Sequence, residues 1–191
     1  MAEGPPSAVP AVARPAPGRH DRAVATSVLR GPRVFDSPLE AARDLAAVTR
    51  RARVLAAVFA LRRLDPPLRE RVMVAVSQVN ACRGCTSVHV RWAQQSGVTP
   101  GELDAIDLGE LGFLDRRSQA AVAYATALAE TRFRPVSPDL AAVTAEALTP
   151  AEVEAVEAIA RMITFANLTV STAEAVIGRL RGPGRLRRRP D

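Results

Sequence analysis

Two cysteines and a histidine in one short segment are the residues best suited to chemistry. Cys82 and Cys85, the only cysteines among 191 residues, stand three positions apart, and His89 follows four positions after Cys85. On a helix these spacings place all three side chains on one face. The imidazole could then take the thiol proton of Cys85, and Cys82 could close a disulfide with it. In a cytosolic protein, a lone C-x-x-C pair indicates redox or metal chemistry more often than a structural link.

The residues before the cysteines favour a reactive thiolate. Asn80 is a good N-cap residue, so it predicts a helix that carries Cys82 and Cys85 in its first turn and a half. The unpaired N–H groups and the dipole at a helix N-terminus stabilise negative charge. We therefore expect the thiolate form of both cysteines to be favoured.

Glu70 is the fourth candidate, on geometric grounds. If the chain reverses near Val79 and Asn80, Glu70 lies about as far before the turn as His89 lies after it, so the two side chains should face each other. A carboxylate there could hold the imidazole in one tautomer and raise its basicity. Taken alone, Glu70 would be assigned to the surface, because acidic residues are favoured in the first turn of a helix.

Two other interpretations stay open on the residues alone. The cysteines could be small buried apolar residues of a helix. With His89 and Glu70 they could also bind zinc, although structural zinc sites usually take two ligand pairs from separate segments. Neither is preferred, so we expect no metal and no cofactor.

Two further residues carry predictions about packing. Trp92 lies one turn beyond His89 on the same face, which predicts a core residue that could also wall the site. Asn167 places an amide inside an apolar helical pattern, so it needs a buried hydrogen-bond partner, which we expect to be structural.

The rest of the chain indicates an all-α fold. The body is rich in Ala, Leu, Arg and Glu, which favour helices, and no window shows the alternation of a strand. Helix starts are marked by a cap residue followed by proline, and three of them, at Ser37, Thr99 and Thr149, have the glutamate of a capping box. The pattern predicts helices near 38–49, 51–63, 66–79, 81–96, 100–107, 115–131, 138–147 and 150–179. Gly97 is predicted to end the fourth, and the last helix is predicted to be central and buried.

Composition divides the chain into a helical domain at residues 37–180 and two terminal segments. Residues 1–36 hold six of the fifteen prolines and too few apolar side chains to offset the entropy of ordering, so we expect a disordered arm rich in Pro and Arg. Residues 181–191 are predicted to be an Arg-rich basic tail.

The net charge of +6 lies mainly in these terminal segments, because residues 37–178 carry fifteen Arg against sixteen Asp and Glu. The tail arginines lack an aromatic platform or a groove-reading motif, so binding to nucleic acid is not expected. No apolar run approaches the roughly 18 residues of a membrane span. Prolines also interrupt the N-terminus, where a secretory signal needs an apolar stretch. We therefore expect a cytoplasmic protein without membrane contact.

The run from Glu70 to His89, ERVMVAVSQVNACRGCTSVH, resembles the signature of the alkylhydroperoxidase AhpD-like, or carboxymuconolactone decarboxylase, family. The shared pattern is Glu, eleven residues, C-x-x-C, three residues and His. It covers about twenty residues, and the surrounding helical body is compatible with the helical fold of that family.

The resemblance implies an AhpD-like helical domain with thiol peroxidase or disulfide reductase activity toward organic hydroperoxides. By position, Cys85 would be the attacking thiolate that passes through a sulfenic acid, and Cys82 would donate a proton and then form the disulfide. His89 and Glu70 would be the proton relay. The implied partners are a hydroperoxide substrate and an external dithiol or protein reductant, and the implied assembly is a homotrimer or homohexamer.

One departure from the family pattern bears on efficiency. Gly84 stands where peroxidases of this type often have His or Tyr, which implies a thinner relay in which water or Ser87 takes part. Two alternatives are kept. The protein could be a redox sensor or binding module without turnover, or a lyase of the carboxymuconolactone decarboxylase type, although family members with that activity generally lack the C-x-x-C pair.

Overall fold

The computed structural model describes residues 31–181, and within this range the chain forms helices and no strands, which confirms the predicted all-α class. The predicted arm up to residue 30 and the tail beyond residue 181 lie outside the described residues. The helices are α1 (Pro38–Thr49), α2 (Ala52–Phe59), α3 (Pro66–Val79), α4 (Arg83–Gln95), α5 (Pro100–Leu108), α6 (Arg116–Glu130), α7 (Pro138–Ala147) and α8 (Pro150–Leu180), with a 3-10 turn at Leu111–Phe113.

Most helices begin at the cap residues that the sequence indicated. Thr99 and Thr149 form complete capping boxes, in which the threonine hydroxyl accepts from an N–H and the glutamate returns a bond to the backbone. Ser37 forms only half of one: its hydroxyl accepts from the N–H of Glu40, but the Glu40 carboxylate accepts from Asp36. The capping box predicted at Ser37 is therefore incomplete.

Several helices end in a residue with left-handed backbone, and this accounts for the main boundary difference. α2 ends at Phe59 rather than near residue 63, because Leu61 has a φ of 57°. The N–H groups of Leu61 and Arg62 turn back to the carbonyls of Val58 and Ala57, which closes a Schellman motif. Gly97, with a φ of 98°, ends α4 in the same way, as predicted.

The main core lies where α3, α6 and the first two thirds of α8 meet. Val72 of α3, Ala121 of α6 and Ile159 of α8 are fully buried within it. The C-terminal third of α8 differs from the prediction of a wholly buried helix, since Val176 and Ile177 are each nearly half exposed there. No helix in the described range combines the length and the apolar character needed to cross a membrane.

Residues 31–36, which the sequence assigned to the arm, lie against the helices. The N–H of Phe35 donates to the hydroxyl of Thr172 (3.0 Å), and its ring contacts the ring of Phe165. The guanidinium of Arg33 donates to the carbonyl of Ala129 at the end of α6 (2.7 Å). This segment therefore joins the N-terminal end of the helical domain to α6 and α8.

Candidate active site

The turn between α3 and α4 sets the position of the cysteines. Ala81 has a φ of 52°, and the N–H of Cys82 donates to the carbonyl of Ser77 (3.1 Å), so α3 ends in a Schellman motif. The next helix begins at once, with Cys82 as its N-cap and no side-chain cap. The two helices thus share a very short connection.

The prediction that Asn80 caps the cysteine helix is wrong. Asn80 is the C-cap of α3 and is fully buried. Its amide donates to the hydroxyl of Thr164 (3.4 Å), and its backbone carbonyl accepts from the N–H of Arg33 (3.1 Å). The left-handed residue at position 81 moves the helix start two residues further along, so the Asn80 side chain supports the end of α3 instead.

Cys82 and Cys85 lie together at the N-terminus of α4 and are joined by a disulfide, with their Cα atoms 5.3 Å apart. Cys82 is buried at 3% exposure, whereas Cys85 is partly exposed. The fold therefore places both sulfur atoms where the unpaired N–H groups of a helix N-terminus favour a thiolate after reduction.

Glu70 and His89 face each other across the α3–α4 pair, as the position of the turn predicted. Nδ1 of His89 lies 3.1 Å from Oε2 of Glu70, and both side chains are buried. An Nδ1–H group at this distance donates to the carboxylate, which leaves Nε2 as the basic nitrogen. Nε2 makes no hydrogen bond to any described residue, and neither sulfur atom is bonded to the ring.

Arg69 completes this group, and sequence reasoning missed it. Its Nε and Nη2 atoms lie 3.1 and 3.0 Å from Oε1 of Glu70, and its guanidinium lies over the ring of Phe59, 5.2 Å from the ring centre. Neighbouring residues on a helix point in different directions and do not normally pair. The only available signal was a basic residue directly before the glutamate, which has little specificity.

A cavity of about 650 Å³ opens beside the His89–Glu70 pair. Most of its wall surface is apolar, and the lining residues come from α2, α3, α4 with its C-cap, and α8: Phe59, Pro66, Arg69, Glu70, Met73, His89, Trp92, Gln95, Ser96, Met162 and Ile163. Neither cysteine is among the lining residues. A ligand in this cavity could therefore reach the imidazole and the carboxylate without contact with sulfur.

The prediction that Trp92 belongs to the core is wrong. Its side chain is 51% exposed, because α4 lies at the surface and buries only His89 and Ala93. The indole instead stands at the cavity wall and packs edge-on against the imidazole of His89, with ring centres 5.2 Å apart. The second role suggested by the sequence, a wall of the site, is the one observed.

The expectation of a thinner relay depends on Gly84 and Ser87, which both lie in the first half of α4. Ser87 is exposed, and its hydroxyl donates to the carbonyl of Arg83 (3.0 Å) rather than to the imidazole or a sulfur atom. A Cβ atom at Gly84 would meet no atom within 4 Å. The fold therefore leaves room at position 84 for a larger side chain.

Asp65 fixes the start of α3 and thereby the position of Glu70 along that helix. Its carboxylate accepts from the N–H of Leu68 (2.9 Å) and pairs with Arg117 of α6 (2.6 Å). Burial alone would raise the pKa of Asp65, but the hydrogen bonds from Arg117 and Leu68 outweigh it and lower the pKa. The carboxylate is therefore ionised, as an N-cap beside the helix dipole requires.

A buried polar contact lies behind the cysteine turn. The amide of Asn167 and the hydroxyl of Ser77 are within hydrogen-bond distance (3.3 Å), and both residues are buried. The predicted structural partner of Asn167 is thus confirmed.

Across residues 31–181, no three or more His, Cys, Asp or Glu side chains come together in a way that could hold a metal ion.

The geometry agrees with a comparison of the sequence with known protein families. The model described as the carboxymuconolactone decarboxylase family matches residues 46–127, a span that runs from α1 into α6 and contains Glu70, both cysteines and His89. A search of the curated proteins gives no significant match to this chain. Residues 46–127 are therefore similar to the carboxymuconolactone decarboxylase family, as the run from Glu70 to His89 indicated.

Proposed function

We propose that the protein is a thiol-dependent peroxidase that reduces organic hydroperoxides through Cys85 and Cys82. One observation carries this proposal: His89 is hydrogen-bonded to the buried Glu70 and lies one helical turn after Cys85 on α4. Cys85 forms the C-x-x-C disulfide at the start of that helix. An oriented base next to a nucleophile is the arrangement that activates a thiol. The mainly apolar cavity beside His89 suits the organic part of such a substrate.

The reaction begins from the reduced dithiol. His89 takes the proton of Cys85, and the thiolate attacks the terminal oxygen of the hydroperoxide, so that the O–O bond breaks. The alcohol leaves with a proton supplied by Cys82 or by the protonated imidazole, and Cys85 becomes a sulfenic acid. Cys82 then attacks the sulfur of Cys85, water leaves and the disulfide forms. An external dithiol returns two electrons and two protons to the pair.

The test measures loss of cumene hydroperoxide in the presence of excess dithiothreitol. We expect turnover by the full chain and by Ser87→Ala, a control at an exposed position on the same helix, and no turnover by Cys85→Ser. In a single turnover without dithiothreitol, Cys82→Ser should accumulate a sulfenic acid that dimedone traps, because its resolving thiol is absent. Cys85→Ser should give no adduct.

Three results would contradict the proposal. Turnover that survives in Cys85→Ser would exclude this thiol as the nucleophile. A dimedone adduct on Cys82 in the Cys85→Ser variant would reverse the two roles. A disulfide that forms once with peroxide, without turnover at any dithiol concentration, would identify a redox sensor.

A second candidate is a lyase that uses His89 for proton transfer. It is favoured by the cavity, which contacts His89 and Glu70 but no cysteine. Such an activity on a carboxylated lactone would persist in Cys82→Ser and Cys85→Ser and disappear in His89→Gln. The same variants therefore separate the two candidates.

A further inference from the structure

We propose that Arg69 is a positioning residue, which holds Glu70 so that His89 carries its proton on Nδ1 and keeps Nε2 free to act as a base. This inference rests on the proposed function for its catalytic meaning. Its structural content, the tautomer of His89, can be measured without any turnover.

The two oxygen atoms of Glu70 are divided between two partners. Oε1 lies near Nε and Nη2 of Arg69, at 3.1 and 3.0 Å, and Oε2 lies 3.1 Å from Nδ1 of His89. Because Arg69 donates from Nε to one oxygen atom and holds Nη2 within ion-pair distance of the same atom, the carboxylate is held in one orientation. The other oxygen atom is thereby directed at the imidazole.

Charge leads to the same conclusion. The Glu70 side chain is only 3% exposed, and a buried carboxylate is costly unless a positive group compensates it. Arg69 supplies that charge, since no other Lys or Arg side chain within residues 31–181 pairs with Glu70. With the charge of the carboxylate balanced by Arg69, its other oxygen atom can accept from Nδ1 of His89.

The Arg69 side chain is itself held in place. It is 17% exposed, and its guanidinium lies over the ring of Phe59 at the cavity wall. Residues next to each other on a helix do not normally face each other, so the contact with Glu70 does not follow from helix geometry. It requires the side chain to bend across the face of α3, where Phe59 supports it.

Without Arg69, two rearrangements become available. Glu70 could take up a proton and donate it to Nδ1, which would move the ring proton to Nε2. Alternatively, His89 could become doubly protonated and supply the missing positive charge. In both cases Nε2 loses its lone pair, and the ring can no longer accept a proton from Cys85.

The experiment is nitrogen-15 NMR of the full chain labelled at histidine. The chain has only two histidines, so a His20→Gln variant assigns the signals of His89. We expect the unaltered chain to show a protonated Nδ1 and an unprotonated Nε2 at His89. In Arg69→Met the population of this form should fall about twofold or more, and Arg69→Lys, which keeps the charge but not the planar fork, should restore part of it.

Arg91→Met is the matched control. Arg91 lies on the same helix as His89, is exposed and makes no contact with Glu70, so its removal should leave the His89 signals unchanged. If Arg69→Met does not fold, Arg69→Gln takes its place. An unchanged His89 pattern in a folded Arg69 variant would overturn the proposal.

Turnover then separates this inference from the peroxidase proposal. If both hold, Arg69→Met should lose about tenfold in peroxide turnover, a typical cost of removing a partner that orients a reactive group. A changed His89 pattern in a protein without peroxidase activity would support the positioning role and refute only the peroxidase. Undiminished turnover in a folded Arg69→Met protein would overturn the positioning role.

Discussion

α3 and α4 follow each other directly and form two walls of the site, but they differ greatly in burial. Eight of the fourteen residues of α3 are buried, including Glu70, whereas α4 buries only His89 and Ala93. α3 packs against α4, α6 and α8. α4 is supported mainly from one side.

This difference separates two tasks. The buried helix α3 holds the Glu70 carboxylate in a fixed position along the helix axis. The Asp65 cap at its start and the Schellman motif at its end set that position. The surface helix leaves Cys85 partly exposed and places His89 at the wall of the cavity. For the proposed peroxidase, the thiol needs access and the orienting carboxylate needs rigidity, and the two requirements are met on different helices.

The largest effect is expected from His89→Gln. The change removes the proposed base from the exposed helix but keeps a side chain of similar reach, so peroxide turnover should fall by about 10²–10⁴-fold, the usual contribution of a positioned acid or base. The midpoint of urea unfolding should move little. A large loss of stability would show that α4 depends on His89 for its fold, and would remove the distinction between the two helices.

The second-largest effect is expected when an apolar side chain is truncated to alanine, and the loss of stability can be compared between α3 and α4. Leu68→Ala on α3 removes a fully buried side chain and should lower the free energy of unfolding by about 2–5 kcal/mol. Val88→Ala on α4, where the side chain is 43% exposed, should cost no more than about 0.5 kcal/mol. Urea unfolding measures both. Similar losses at the two positions would contradict the stated difference in burial.

The smallest effect concerns acid. Burial raises the pKa of Asp65 and Glu152, but hydrogen bonds from backbone N–H groups and from Arg117 lower it by more, so the pKa of each is below its ordinary value of 3.8 or 4.5. A lowered pKa in the folded state gives stability that is present above the ordinary value and is lost as the pH falls through the lowered one. The ionisation of Asp65 and Glu152 should therefore leave the thermal midpoint unchanged down to about pH 5. At lower pH the thermal midpoint should fall.

Asp65→Asn sharpens this prediction, because asparagine can still cap α3 but does not titrate. The variant should show a shallower decline in thermal midpoint below pH 3.8 than the unaltered chain, because Asp65 loses its stabilising effect in that range. α4 has no side-chain cap, so no matching change exists at its start. An identical acid profile in Asp65→Asn would exclude Asp65 as a source of the decline.

Local chemistry made most helix starts predictable. Asp65, Ser137 and Thr149 cap their helices as expected, because an N-cap depends on a few neighbouring atoms. The meeting of Glu70 and His89 was also predictable, since it needs only two helices and the position of the turn between them. These features require no knowledge of the remaining fold.

The errors concern features that depend on distant parts of the chain. Asn80 resembles an N-cap, but a left-handed Ala81 and a hydrogen bond to Thr164 of α8 assign it to the end of α3. Trp92 has the spacing of a core residue, but α4 packs mainly against α3 and leaves the indole 51% exposed. Arg69 could not be identified because its contact with Glu70 depends on the ring of Phe59 in another helix.

The short sequence separation of the two disulfide-bonded cysteines determines how much the formation and reduction of the bond change the stability of the fold. Cys82 and Cys85 are three positions apart, and the chain-entropy relation assigns about 2 kcal/mol to a loop of four residues, against about 3 kcal/mol for one of fifteen. The helical domain is held by the apolar contacts around α3, which do not include this bond. Reduction of the disulfide should therefore leave the helical domain folded, so that the pair can be reduced and reoxidised within the native fold.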